Sequence, residues 1–158
     1  MKTIQIYENK TLKLQDRLML FIDFESRDFM IDLEIERMQT YIATHGTKRI
    51  GPLIQHVFFE SNQQGVPIIG IKYMLQTEEK LSIVEQPYQV EDACKVANCL
   101  YARYIGPEDG IKFAYDKLGV YAFENEINLQ GGSYTIYVDK NEDEESITAD
   151  IFMPTKVG

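Results

Sequence analysis

The 158 residues contain no tryptophan, two cysteines and two histidines. Each scarcity removes a class of chemistry. Cys94 and Cys99 have an odd separation, which places them on opposite faces of a strand and argues against a mutual disulfide. Two thiols with no histidine nearby form no recognisable metal site, so the expectation is ordinary reduced cysteines in a cytoplasmic protein. No apolar run approaches the length of a membrane span. The first residues, Met1 to Glu8, carry a single lysine and no apolar core, so no signal peptide is expected. Basic residues are also short: 16 Lys and Arg against 25 Asp and Glu leave a net charge of -9. That balance argues against a nucleic-acid backbone, which needs a clustered basic surface, and against anionic membranes. It allows cationic ligands or basic protein partners, although acidic surfaces more often serve solubility alone.

What the chain has is enough apolar material, 44%, for one domain or two small modules sharing a core. Tyr101 to Asp139 is its most legible stretch. Pro107 suits the first turn of a helix, and Glu108 and Asp109 complement the helix dipole. Ile111, Tyr115, Leu118 and Ala122 recur at helical spacing, which predicts a helix at about 107–124. A turn at Gly131-Gly132 and a strand over Ser133–Asp139 follow. Earlier, Leu18–Glu25 reads as a buried strand and Ser26 as an N-cap. A helix is expected to about Thr44 with the stripe Ile31, Ile35, Met38 and Ile42, ended by Gly46 in the left-handed cap position. Gly51-Pro52 reads as a turn, Leu53–Glu60 as a strand and Asn62–Gly65 as a hairpin turn, with the next strand at Val66–Leu75. Leu12 and Leu14 suggest an edge strand or lead-in arm. Cys94–Ile105 and Ile147–Pro154 are further strands, and Asp139–Glu145 is an acidic hairpin tip.

The halves repeat one order: strand, helix, strand, strand. A shift of 80 positions lays Ile31, Ile35, Met38 and Ile42 onto Ile111, Tyr115, Leu118 and Ala122, Gly51 onto Gly131, and Leu20 onto Leu100, without a gap. The expectation is an α+β fold of two duplicated modules related by a pseudo-twofold axis, with an antiparallel sheet and both helices on one face. The modules are placed at about 12–76 and 93–156. The connection, 77–92, carries a candidate short strand at Leu81–Val84.

The second half carries a recognisable series: Tyr104-Ile-Gly106-Pro107, then Ala114-Tyr115-Asp-Lys-Leu118, Gly131-Gly132, Thr135-Ile-Tyr137 and Asp150-Ile-Phe-Met-Pro154. It resembles the GyrI-like superfamily, effector-binding domains found behind AraC- and MerR-type DNA-binding modules and as free proteins. The resemblance implies a small-molecule binding or sensing domain. Tyr104 stands where the family often has His. Thr135 stands where drug-binding members carry a buried Glu that pairs with cationic ligands. No helix-turn-helix fits before residue 18, so a free-standing domain is expected.

Ten tyrosines and eight phenylalanines supply the candidate site. Phe58, Tyr73, Tyr101, Tyr104 and Tyr137 lie on expected strands and would give flat apolar walls with hydroxyl handles. Thr135 and Glu60 would add polar contacts. The proposed place is a groove between the modules, on the sheet face away from the helices, holding a small amphipathic or aromatic ligand. The plain alternative is that these rings pack the core. His56, Phe58 and Glu60 share a strand face, but no motif sets a nucleophile beside them. His45 precedes Gly46 and suits a helix C-terminus. Asp139, Asn141 and Asp143 imitate part of a calcium loop, yet Glu144 replaces its glycine and strands flank it. Gly106–Gly110 lacks the Lys and Ser/Thr of a phosphate loop. No catalytic group, metal or cofactor is expected. Two readings stay open beside ligand binding: a protein-interaction domain that docks a basic partner on its acidic hairpin, and a hydrolase of reactive small molecules.

Overall fold

The computed structural model describes residues 4–23, 31–61, 63–82, 84–141 and 143–156; the side chains of Asp23 and Glu60 lie outside that set. The described elements are β1 (Ile6–Leu14), β2 (Arg17–Asp23), α1 (Ile31–Thr44), β3 (Arg49–Ser61), β4 (Pro67–Thr77), β5 (Tyr88–Glu91), β6 (Cys94–Gly106), α2 (Ile111–Glu124), β7 (Ser133–Asn141) and β8 (Ser146–Pro154). The fold is α+β. The pairings of β2 with β4 and β5, of β3 with β4, and of β8 with β6 and β7 are antiparallel. Two compact units divide the chain: a contiguous one, Lys13–Cys94, and a split one, Met1–Leu12 with Lys95–Gly158. Among the described residues no helix is long and apolar enough to cross a membrane.

The contiguous unit orders its strands β3-β4-β2-β5. Alternation sends Leu18 and Leu20 of β2 to one face, where they bury with Leu75 of β4, Leu81, and Met38 and Ile42 of α1. Met38 and Ile42 are four apart on the helix, so α1 turns one stripe onto that face. The split unit orders its strands β1-β6-β8-β7. Leu100, Ala102 and Tyr104 of β6 and Ala149 and Ile151 of β8 face Ala114, Leu118 and Ala122 of α2. Each fully buried aliphatic side chain contributes about 1.5–3 kcal/mol, which is what holds each helix to its sheet.

Local chemistry departs from sequence expectation in four places. Gly51-Pro52 is not a turn between elements but a break inside β3, where the register to β4 shifts between Ile50 and Ile54. Gly51 sits there at φ 73° and Pro52 brings no N–H, so both fit a bulge. The extra strand forms at Tyr88–Glu91, not at Leu81–Val84. Leu81 and Val84 plug the core three residues apart, whereas Tyr88 and Val90 alternate as a strand requires. The second helix is preceded by a 3-10 turn, Glu108–Gly110, and α2 proper starts at Ile111. The hairpin tip is also shorter than expected, since β7 continues to Asn141. Ser26 and the first turns expected of the first helix lie outside the described residues.

Candidate functional site

In each unit the sheet face away from the helix carries the unusual side chains. On β6 of the split unit, Tyr101, Arg103 and Ile105 alternate with the core residues and point away from α2. Tyr101 pairs across to Phe152 of β8, ring centroids 4.8 Å apart, and Tyr7 of β1 lies 6.0 Å on its other side. The Tyr101 hydroxyl donates to Asp150 Oδ1 at 2.7 Å. Arg103 forks onto the same carboxylate, Nε to Oδ1 at 2.8 Å and Nη2 to Oδ2 at 3.0 Å. Burial, together with the hydrogen bond to Asp150 and its charge, pushes the Tyr101 phenol up to about 12. Tyr101 is therefore a neutral donor at physiological pH, locked in place by a carboxylate that Arg103 neutralises. Beside it opens a cavity of about 420 Å³ lined by Ile4, Gln5, Tyr7, Lys10, Tyr101, Arg103 and Ile105. Two phenol rings supply flat walls, Lys10 and Gln5 supply polar groups, and the Lys10 ammonium lies 5.5 Å from the Tyr7 centroid.

The sheet face of the contiguous unit away from α1 is built around a buried arginine. Arg17, 4% exposed, donates Nη2 to Glu91 Oε2 at 2.5 Å and Nη1 to the carbonyls of Gln15 and Asp92 at 3.0 and 2.9 Å. Lys72 Nζ reaches the other Glu91 oxygen at 3.2 Å and stands 5.0 Å over the Phe58 ring. Phe58 packs between His56 at 5.4 Å and Phe21 at 5.7 Å. These rings close over Gly70, where an added Cβ would stand 2.4 Å from Phe58 Cζ and 2.8 Å from Phe21 Cε2. Burial, assisted by the Lys72 and Arg17 charges and opposed by Glu91, lowers His56 to about 4. The imidazole is thus neutral at pH 7.

The expected site residues divide by face. Phe58 and Tyr101 lie on the sheet faces away from the helices, one in each unit. Tyr73 pairs with Leu20 and shares the strand face of Leu75, so it turns toward the α1 side. Tyr104 is 1% exposed inside the split unit's core, and its hydroxyl donates to the Pro107 carbonyl at 2.5 Å. Gly106 and Gly110 wrap that hydroxyl: a Cβ on either would come within 2.8 and 2.5 Å of it. Thr135 is buried and hydrogen-bonded to the Tyr115 hydroxyl, and Tyr137 packs against the same core. Glu60 pairs with Ile68 in β3, and its side chain lies outside the described residues. Among those residues no cluster of three or more His, Cys, Asp and Glu could hold a metal. Cys94 is exposed and Cys99 buried, both as free thiols.

Sequence reasoning missed Tyr7, Arg103, Asp150 and Phe152 in one unit and Arg17, Phe21, Lys72 and Glu91 in the other. Part of the signal was present. Once Tyr101 faces out, Arg103 must also, and an apolar run with Arg17 at its head and Phe21 inside it has the same alternation. The pairing of Glu91 with Arg17, however, joins positions far apart in sequence and needs the β2–β5 register.

No family model and no curated protein matches this sequence. Solved structures do. The C-terminal domain of EcmrR covers 99% of this chain and is itself covered in full, with a TM-score of 0.68 and 16% identity. EcmrR in its cryo-EM complex with DNA gives a TM-score of 0.70, again at 16% identity, over 98% of this chain. This chain spans 58% of that EcmrR chain's length. A hydrolase from Listeria innocua is similar over 97% of this chain and 91% of its own, with a TM-score of 0.60 and 7% identity. The likeness is one of fold.

Proposed function

We propose that this chain is a GyrI-like effector-binding domain that holds a small amphipathic or aromatic molecule without turning it over. The observation that carries the reading is the cavity beside Tyr101. A phenol fixed by Asp150 and a second phenol, Tyr7, flank about 420 Å³ of space with polar groups at its edge. The fold likeness to the EcmrR C-terminal domain supports it, because that is the architecture implied by the Tyr104–Pro107 and Asp150–Pro154 motifs. Thermal shift with a panel of planar aromatic amphipaths tests it. A ligand at 100 times its Kd adds about 2.7 kcal/mol to unfolding, a rise of several degrees for a domain of this size. Tyr101→Ala removes the wall and abolishes the rise. A panel that stabilises nothing, or stabilises Tyr101→Ala equally, refutes the site.

The two units read as one module used twice. The helices α1 and α2 end 80 positions apart, at Thr44 and Glu124. Left-handed residues recur at that interval: Gly46 and Glu126, Gly51 and Gly131, Gly65 and Glu145. So does strand pairing, Leu20 with Tyr73 in one unit and Leu100 with Met153 in the other. A solved structure in which the units fail to superpose at that offset would remove this part of the proposal.

A further inference from the structure

Three large apolar side chains stand on the outer face of α2, among the exposed Lys112 and Asp116. Phe113, Val120 and Phe123 are 52%, 54% and 86% exposed. They occupy the third, tenth and thirteenth places of the helix and fall on the side away from Ala114, Leu118 and Ala122. The same places on α1 hold Leu33, Thr40 and Ala43, so the stripe is not a requirement of packing such a helix on its sheet.

Gly119 adds a second, independent oddity. Glycine in mid-helix costs helix stability, and here a Cβ would meet nothing within 4 Å. The chain's own packing does not need the missing side chain. A neighbour that approaches this spot closely would.

Helical geometry puts Gly119 and Phe123 along one edge of the stripe and Lys117 and Glu124 along the other. This arrangement is self-complementary. Two α2 helices laid antiparallel about a twofold near residue 121 set each Phe123 over the Gly119 gap of the second copy. The same twofold sets each Lys117 against the second copy's Glu124, and every contact occurs twice. Lys117 spends one N–H on the Ile4 carbonyl and keeps two for this purpose. We propose that the exposed face of α2 is a homodimer interface, with a second copy of this chain as its occupant.

Sedimentation velocity over a wide range of protein concentrations tests it on the whole chain. The expected result is a concentration-dependent rise from one-chain to two-chain mass, lost in Phe123→Asp. Gly119→Leu fills the gap and should also be monomeric, while melting at or above the wild-type temperature, which separates loss of the interface from loss of the fold. Lys117→Glu and Glu124→Lys alone each turn two attractions into repulsions and weaken the dimer about 10-fold, and the double exchange restores it to within about 3-fold. A wild-type chain that stays at one-chain mass throughout overturns the proposal. So does a dimer indifferent to Phe123→Asp and Gly119→Leu, or a double exchange no better than the singles.

Discussion

Acidification should unfold this protein partly through one histidine. His56 faces Lys72, Arg17 and Glu91, and burial lowers it from an ordinary 6.5 to about 4. Its charged form is therefore disfavoured in the folded chain. Between pH 6.5 and 4 the unfolded chain binds a proton that the folded chain refuses, so stability is complete above 6.5 and falls as pH drops through that window. Below 4 both states are protonated and the loss stops growing. At pH 5 the linkage amounts to about 2 kcal/mol relative to pH 7, which screening of a partly exposed ring trims to about 1–2 kcal/mol. Carboxylates titrate in the same range, so the measurement is a difference: urea unfolding of the wild type and His56→Gln at pH 7 and pH 5. The variant's relative stability should rise by about 1–2 kcal/mol on going to the lower pH. A difference that does not move with pH, or an NMR titration of the His56 ring with a midpoint near 6.5, refutes the reasoning.

Core truncation should be costly in both units: Met38→Ala and Leu118→Ala, each at a fully buried position, should lose about 2–5 kcal/mol by urea unfolding, and similar losses in Ile35→Ala and Tyr115→Ala would place those helix positions in the same cores. Gly70→Ala drives a methyl into the Phe58 and Phe21 rings, with an expected cost of about 1–3 kcal/mol and a changed ring environment in NMR spectra. Tyr115→Phe leaves the buried Thr135 hydroxyl without its partner and should cost about 1–2 kcal/mol, whereas adding Thr135→Val should recover part of that loss, measured as a double-mutant cycle.

The helices and most strand bodies were legible because their signals are local. The four apolar positions spaced along each helix and the Gly46 stop need no knowledge of distant residues. Gly51-Pro52 misled because a glycine at positive φ and a proline serve a turn and a bulge equally well, and only the β3–β4 register tells them apart. The aromatic site was half legible. Strand periodicity says that Tyr101 and Tyr104 face opposite ways, but not which way is the core. The deciding feature was the Gly106–Gly110 turn, which closes over the Tyr104 hydroxyl and commits that ring inward. Thr135 and Tyr137 then follow Tyr104 onto the core side through β8. The Arg17–Glu91–Lys72 group was out of reach, because three strands must be in register before its charges meet.

The division of the chain also orders events in time. The unit formed by Lys13–Cys94 is continuous, while the other opens with Met1–Leu12 and resumes only at Lys95. A chain leaving the ribosome has every residue of the continuous unit available before β6 exists, so that unit can close first on short loops. The Ile6–Leu12 segment must wait, unpaired, until its partner strand is made 80-odd residues later. Nascent chains halted well past residue 94 should thus protect Leu18–Leu75 from protease while Ile6–Leu12 remains open to cleavage. Equal protection of both segments at that length would show that the split unit does not wait.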